Sequence, residues 1–188
     1  MSLLPLIEQA EATEAQARFL AQTPPLNLFK ALANAPDIGT EMARMGGLIL
    51  YQTKLDARLR ELAILRAAHL AASAYEVGHH ERIGRDVGLS DADLAAVRND
   101  GDLQALDPLG RLAAQWAQDV VKAGRAAPAL VRAAIEALGR DQAVELSITV
   151  GYYLMVASFL ETFEIPFEGG QFDQGVKIDK TPDNLRSS

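Results

Sequence analysis

Apolar residues recur at three- and four-residue intervals along nearly the whole chain, the spacing of helices that bury one stripe. No run shows the alternation of a half-buried strand, and alanine, leucine, glutamate and arginine dominate. The pattern predicts an all-α, single-domain, multi-helix bundle. A first helix fits Ile7 to Gln22 and stops at Thr23-Pro24-Pro25; short ones follow near Asn27–Asn34 and at Pro36–Tyr51. One long helix reads from Asp56, a candidate N-cap, to Gly84. Ser90-Asp91-Ala92-Asp93 resembles a capping box, and Asp107-Pro108 opens a helix that carries Trp116 on its core side. Pro128 starts another helix, ended at Gly139, and Asp141 to Glu164 is the last, closed by Ile165-Pro166. The tail from Glu168 is polar and glycine-rich, so an extended or partly disordered arm is expected.

Composition narrows the function. At 188 residues, 49 % hydrophobic and 23 % charged, the chain fits one domain with a substantial core. The net charge of -7 disfavours nucleic acid and anionic membranes as partners. Cysteine is absent, which excludes disulfides, thiolate metal sites and thiol nucleophiles. The N-terminus lacks the basic region of a signal peptide, and the uncharged run Leu146–Leu160 is shorter than the ~20 residues of a membrane span. A cytoplasmic protein is expected. One internal echo, Glu61-Leu62-Ala63-Ile64 against Glu145-Leu146-Ser147-Ile148, raises a helix-pair repeat, although two alanine-rich helices also match by chance.

The chemistry concentrates in AAHLAASAYEVGHHERIG, residues 67–84, which holds all three histidines. Projected as one helix at ~100° per residue, Arg66, His69, Ser73, Glu76 and His80 share roughly an 80° sector, with Glu61 and His79 beside it. Such a stripe serves either as a solvated face or as an enclosed site. In the first case Glu76 and His80 form a surface pair worth ~0.5 kcal/mol or less. In the second, carboxylate–imidazole pairs tune proton transfer. Glu76-x-x-His79 matches the Glu-x-x-His spacing of di-iron bundles, but those need two such motifs, and Glu161 and Glu164 on the last helix come without histidine. No metal and no cofactor are expected.

The stretch LDARLRELAILRAAHLAASAYEVGHH resembles the carboxymuconolactone decarboxylase family, within the AhpD-like superfamily. Leu28 to Leu32 with Pro36, and GYYLMVASFLETFEIPFE, resemble the helices before and after that motif, so the likeness runs from about residue 27 to 168. It implies a helical extension at 1–26, the family domain at 27–167 and a tail at 168–188. Glu61 and His80 match the superfamily's active-site glutamate and histidine. In the peroxidase branch a Cys-x-x-Cys pair lies between them, where this chain has Ser73 and Glu76, so a thiol cycle cannot run here.

The resemblance implies a cofactor-independent lyase acting on a small carboxylated lactone or related acid from aromatic catabolism. The alternatives are an alkylhydroperoxidase-related protein lacking its cysteines, and a non-catalytic oligomeric binding protein. For the lyase, His80 would deliver a proton, oriented by Glu76 or Glu61. Ser73, Arg66, His69 and His79 are candidate substrate contacts, the first three through the stripe alone. A homo-oligomer, trimer or hexamer, is also implied.

Overall fold

The computed structural model describes residues 2–168, all helix and connecting turn with no strand among them. After a 3-10 turn at Gln9–Glu11 come α1 (Glu14–Leu20), α2 (Asn27–Leu32) and α3 (Pro36–Tyr51). Then follow α4 (Ala57–Leu70), α5 (Ala74–Asp86) and α6 (Asp91–Ala96). A second 3-10 turn at Leu103–Ala105 leads to α7 (Pro108–Ala123), α8 (Pro128–Leu138) and α9 (Arg140–Thr162). Most starts follow from capping chemistry legible in the sequence. The Asp56 carboxylate accepts from Leu59 N at 3.1 Å, and Ser90 with Asp93 closes a reciprocal box. Asp107 accepts from Leu109 and Gly110 N ahead of Pro108.

Three boundaries differ from the sequence pattern. The N-terminal helix is broken, because Gln16 reaches back to accept from Thr13 N at 2.9 Å and starts α1 afresh. The last helix stops at Thr162, since Glu164 takes a left-handed conformation (φ 51°) and Ile165 N turns back to Leu160 O at 2.9 Å. The third difference matters most. The expected single helix from Asp56 to Gly84 is two helices, α4 and α5, folded into a hairpin. Ala72 sits at φ 55° and Ser73 N bonds Ala68 O at 3.0 Å, the closure of a helix C-terminus that glycine usually makes. With alanine there, the run showed no breaker.

α4 is the central helix, packed on α7, α5 and α9. Leu59, Ala63 and Ala67 meet Trp116, Ala117, Leu146 and Val150 on one side. Leu62 and Leu65 meet Leu94, Val97 and Leu106 on another, and Ile64 packs with Ile49 and Tyr153. Every side chain from Leu59 to Ala68 is buried, so Arg60, Glu61 and Arg66 cannot reach water and must find partners inside. α9 is long and apolar enough to cross a membrane by length and composition, yet Leu146, Val150, Tyr153, Val156 and Leu160 form a buried stripe against the rest of the bundle. The echoed glutamates have different settings: Glu61 is buried, whereas Glu145 accepts from Lys54 and Leu55 N at the surface.

Chain below Ile165 closes over α5. Phe167 stacks edge-on against Tyr75 and His79, and a Cβ added at Gly78 would lie 2.6 Å from its ring. Glu168 accepts from Tyr75 Oη at 2.9 Å and pairs with His79 Nε2 at 3.0 Å. The expected arm, beyond this first residue, falls on residues 169–188, outside the described residues.

Candidate active site

The α4–α5 hairpin brings Glu61 and His80 into contact although 19 residues separate them. Glu61 leaves the second turn of α4 fully buried, and His80, 4 % exposed, faces it from the second turn of α5. Nδ1 of His80 lies 2.6 Å from Glu61 Oε2, while Nε2 lies 3.3 Å from Glu76 Oε2, one turn back on α5. Arg60 Nε donates to the other Glu61 oxygen at 2.9 Å, and its Nη1 to Leu50 O at 3.0 Å. The Tyr153 ring meets the imidazole edge-on at 4.6 Å, and Tyr152 meets Tyr153 in turn.

A carboxylate only accepts, so an imidazole with a carboxylate at each nitrogen is best satisfied as the doubly protonated cation. Burial opposes that charge, but the field and hydrogen bond of Glu61, joined by those of Glu76, outweigh it and lift His80 to about 9. Burial would raise Glu61, yet His80 and Arg60 hold it below the ordinary carboxylate range. With Arg60 included the four charges cancel, and a closed interior tolerates them for that reason. Burial, helped by the Glu76 and Glu61 charges, pushes Tyr153 well up, and burial with Glu76 puts Tyr152 at about 12; both rings stay neutral.

The other sequence candidates lie elsewhere in the bundle. Arg66 donates to the carbonyls of Val97 and Arg98 and to the Gln118 side chain, tying the α6–α7 connection to α4. Burial lowers His69, and the charges around it are those of Glu81, Arg98, Arg66 and Asp100 rather than the Glu61–His80 pair. His79 points to Glu168. The projection that grouped Arg66 and His69 with Ser73, Glu76 and His80 assumed one axis, and the turn at Ala72 ends it. Glu76 and His80 keep a common face as i and i+4 of α5, and Ser73 is the N-cap residue just before that helix.

Sequence reasoning assigned no role to Arg60, Tyr152 or Tyr153. Tyr152 and Tyr153 sit in the GYY motif of the last helix, but only the packing of α9 on α4 aims them here. The break also had a signal. Ser73-x-x-Glu76 has the form of a capping box, the mark of a helix start.

Residues 36–119, from the start of α3 into α7, match the model of the carboxymuconolactone decarboxylase family, and this segment includes Glu61, Ser73, Glu76 and His80. The match covers 84 of the 188 residues, and over them the chain is similar to that family. The helix α9, whose sequence resembles the family's closing helix, lies beyond the matched residues. Among solved structures, the chain is similar to the alkylhydroperoxidase AhpD core of an uncharacterized peroxidase-related protein from Ralstonia eutropha JMP134. The two share 21 % identity over 89 % of this chain and 93 % of that one, with a TM-score of 0.73. That likeness establishes the fold, an AhpD-like helical bundle. No curated protein matches.

Proposed function

We propose that the protein is a cofactor-independent acid–base enzyme of the decarboxylase type, with a small carboxylated lactone or related acid from aromatic catabolism as substrate and His80 as proton donor. One observation carries this reading: a buried imidazole with a carboxylate at each ring nitrogen, a setting that favours its charged form. Such a group is a stocked acid at neutral pH. In the reaction the bond to the leaving carboxylate breaks, carbon dioxide departs, and its electron pair spreads onto the lactone carbonyl as a dienolate. Carbon then takes the proton from His80, and solvent restores it. Glu61, braced by Arg60, positions the ring from behind. Glu76 lies on the opposite nitrogen, where it accepts the returning proton and passes it on.

An exposed Glu76–His80 pair would favour a non-catalytic binding protein, and this pair is 3 % and 4 % exposed. A thiol peroxidase lacks its reagent, since the sequence has no cysteine. The test is turnover of carboxylated lactones, followed as carbon dioxide release, by wild type and by His80→Gln. Equal rates in the two, with the fold preserved, would remove His80 from the reaction.

We also propose that the enzyme is a homo-oligomer through α3 and α9. Ile38, Met45, Leu48 and Tyr51 on α3 and Val144, Ile148 and Met155 on α9 are each 43–62 % exposed. Between the helices runs an apolar groove of about 400 Å³, floored by Met42, Gly151 and Tyr152. Seven such side chains offer several hundred Å², approaching the ~800 Å² per partner of a standard interface and large for a monomer. From Val144 to Met155 the stripe spans about 16 Å of helix, which suits a helix of a second copy better than a small molecule. Tyr152 joins this face to the site, so a second copy there would also shield the site from water.

A further inference from the structure

Ser73 and Glu76 are the residue types that cap a helix start, yet neither caps α5. The Ser73 side chain makes no bond to the first turn, and Glu76 is turned to His80. The leading N–H groups of this 13-residue helix therefore have no side-chain acceptor, at the end where the helix dipole is positive. The Ser73 hydroxyl is itself 0 % exposed and has no hydrogen-bond partner. Thr149 Oγ1 shares that state, but Ser73 is the one that stands at a helix start beside Glu76 and His80, where an acceptor would complete it. Ser73 stands at the N-cap of α5, about one turn before Glu76 and two before His80, and the left-handed Ala72 fixes its place immediately before the helix.

We propose that the Ser73 hydroxyl and the first-turn N–H groups of α5 form an oxyanion site, which takes the carbonyl oxygen of a ketone, ester or lactone as that oxygen gains charge. The proposal rests on the proton-transfer reading of His80 and completes it. A dienolate needs a donor at oxygen as well as an acid at carbon; Arg66 is bonded to the α6–α7 connection, and His69 lies before the Ala72 turn among Glu81, Arg98 and Asp100. Ser73 and His80 are about 10 Å apart along the helix axis, a gap that two side chains and a conjugated carbonyl compound bridge together. Oxygen then lies at the helix start and the carbon to be protonated near the imidazole.

The experiment uses p-nitrophenol, whose coloured phenolate mimics the oxyanion, titrated into wild type, Ser73→Ala and Ser73→Cys. Nitrobenzene, which has no such oxygen, reports binding of the aromatic ring alone. Wild type should bind phenolate in preference to phenol and lower its apparent pKa. Both variants should lose phenolate affinity roughly tenfold or more, as loss of a hydrogen bond to a charged group implies, with nitrobenzene affinity unchanged. Equal phenolate affinity in Ser73→Ala and wild type, or no phenolate preference in wild type, overturns the proposal. His80→Gln separates the two readings: it should retain the phenolate preference while losing turnover. Full turnover in that variant would defeat the acid assignment and leave the oxyanion site standing.

Discussion

His80 has a carboxylate at each ring nitrogen, and both of its predicted behaviours follow from that placement. As the acid it must be charged to act, so kcat should hold through neutral pH and fall as pH rises through about 9. The ring titration, followed by 15N NMR, should show the same midpoint, and Glu61→Gln should lower it by about 1–3 units. Stability follows the same sign. His80 is raised in the fold, so its contribution is complete below about 6.5 and is lost as pH climbs to about 9. Glu61 is depressed, so its contribution is present above its ordinary value near 4.5 and is lost on acidification through its lower folded value. A melting temperature that rises between pH 6.5 and 9 would contradict the charged pair.

Substitution separates the two adjacent histidines. His80→Gln should lower turnover 10²–10⁴-fold and destabilise, because removing one member of a buried ion pair costs about 3–5 kcal/mol. Circular dichroism should nonetheless report a folded helical protein, since Gln still donates to a carboxylate. Glu76→Gln, a milder change that keeps shape, should move the upper limb of the pH profile to lower pH. His79→Ala should cost far less activity, because its imidazole meets Glu168 and Phe167 rather than Glu61.

At the scale of elements, the α4–α5 hairpin is held by two devices that can be altered separately. Ala72 occupies a left-handed position where Cβ is unfavourable, so Ala72→Gly should be neutral or stabilising by up to ~1 kcal/mol, read as a higher melting temperature. Gly78 leaves room for the tip of the Phe167 ring against α5. A side chain there must push the ring away, so Gly78→Ala should destabilise by about 1–3 kcal/mol and loosen the Glu168 contacts to Tyr75 and His79. Hydrogen exchange of the first turn of α2, where Glu168 also accepts from Asn27 N, should then speed up.

For the whole molecule, the exposed stripes of α3 and α9 lead to an association test. Sedimentation velocity at micromolar concentration should give a mass above one chain. Ile148→Glu, which places a charge at the centre of the face, should shift the population towards monomer while leaving the helical signal intact. A wild type that sediments only as monomer would refute the proposed contact.

Local chemistry along the chain determined the helices and their caps. Asp56, Ser90 with Asp93, Asp107-Pro108, Pro128 and Gly139 act on neighbours within one turn, and such signals survive in the sequence. The lack of cysteine settled the absence of thiol chemistry without any structure. The resemblance named Glu61 and His80, and spacing added Glu76, which shares one short helix with His80 and so keeps its relative angle, and Ser73, the residue at that helix's N-cap. Tertiary structure alone decided the rest. The turn at Ala72 uses alanine where glycine would have announced it, so a helical projection ran past its end and gathered Arg66 and His69 into a group they do not join. The Glu61–His80 contact crosses between two axes, Arg66 answers to carbonyls of the α6–α7 connection, and Tyr153 comes from a helix more than 70 residues away in sequence. A projection measures angles about one axis, whereas the site is assembled from three.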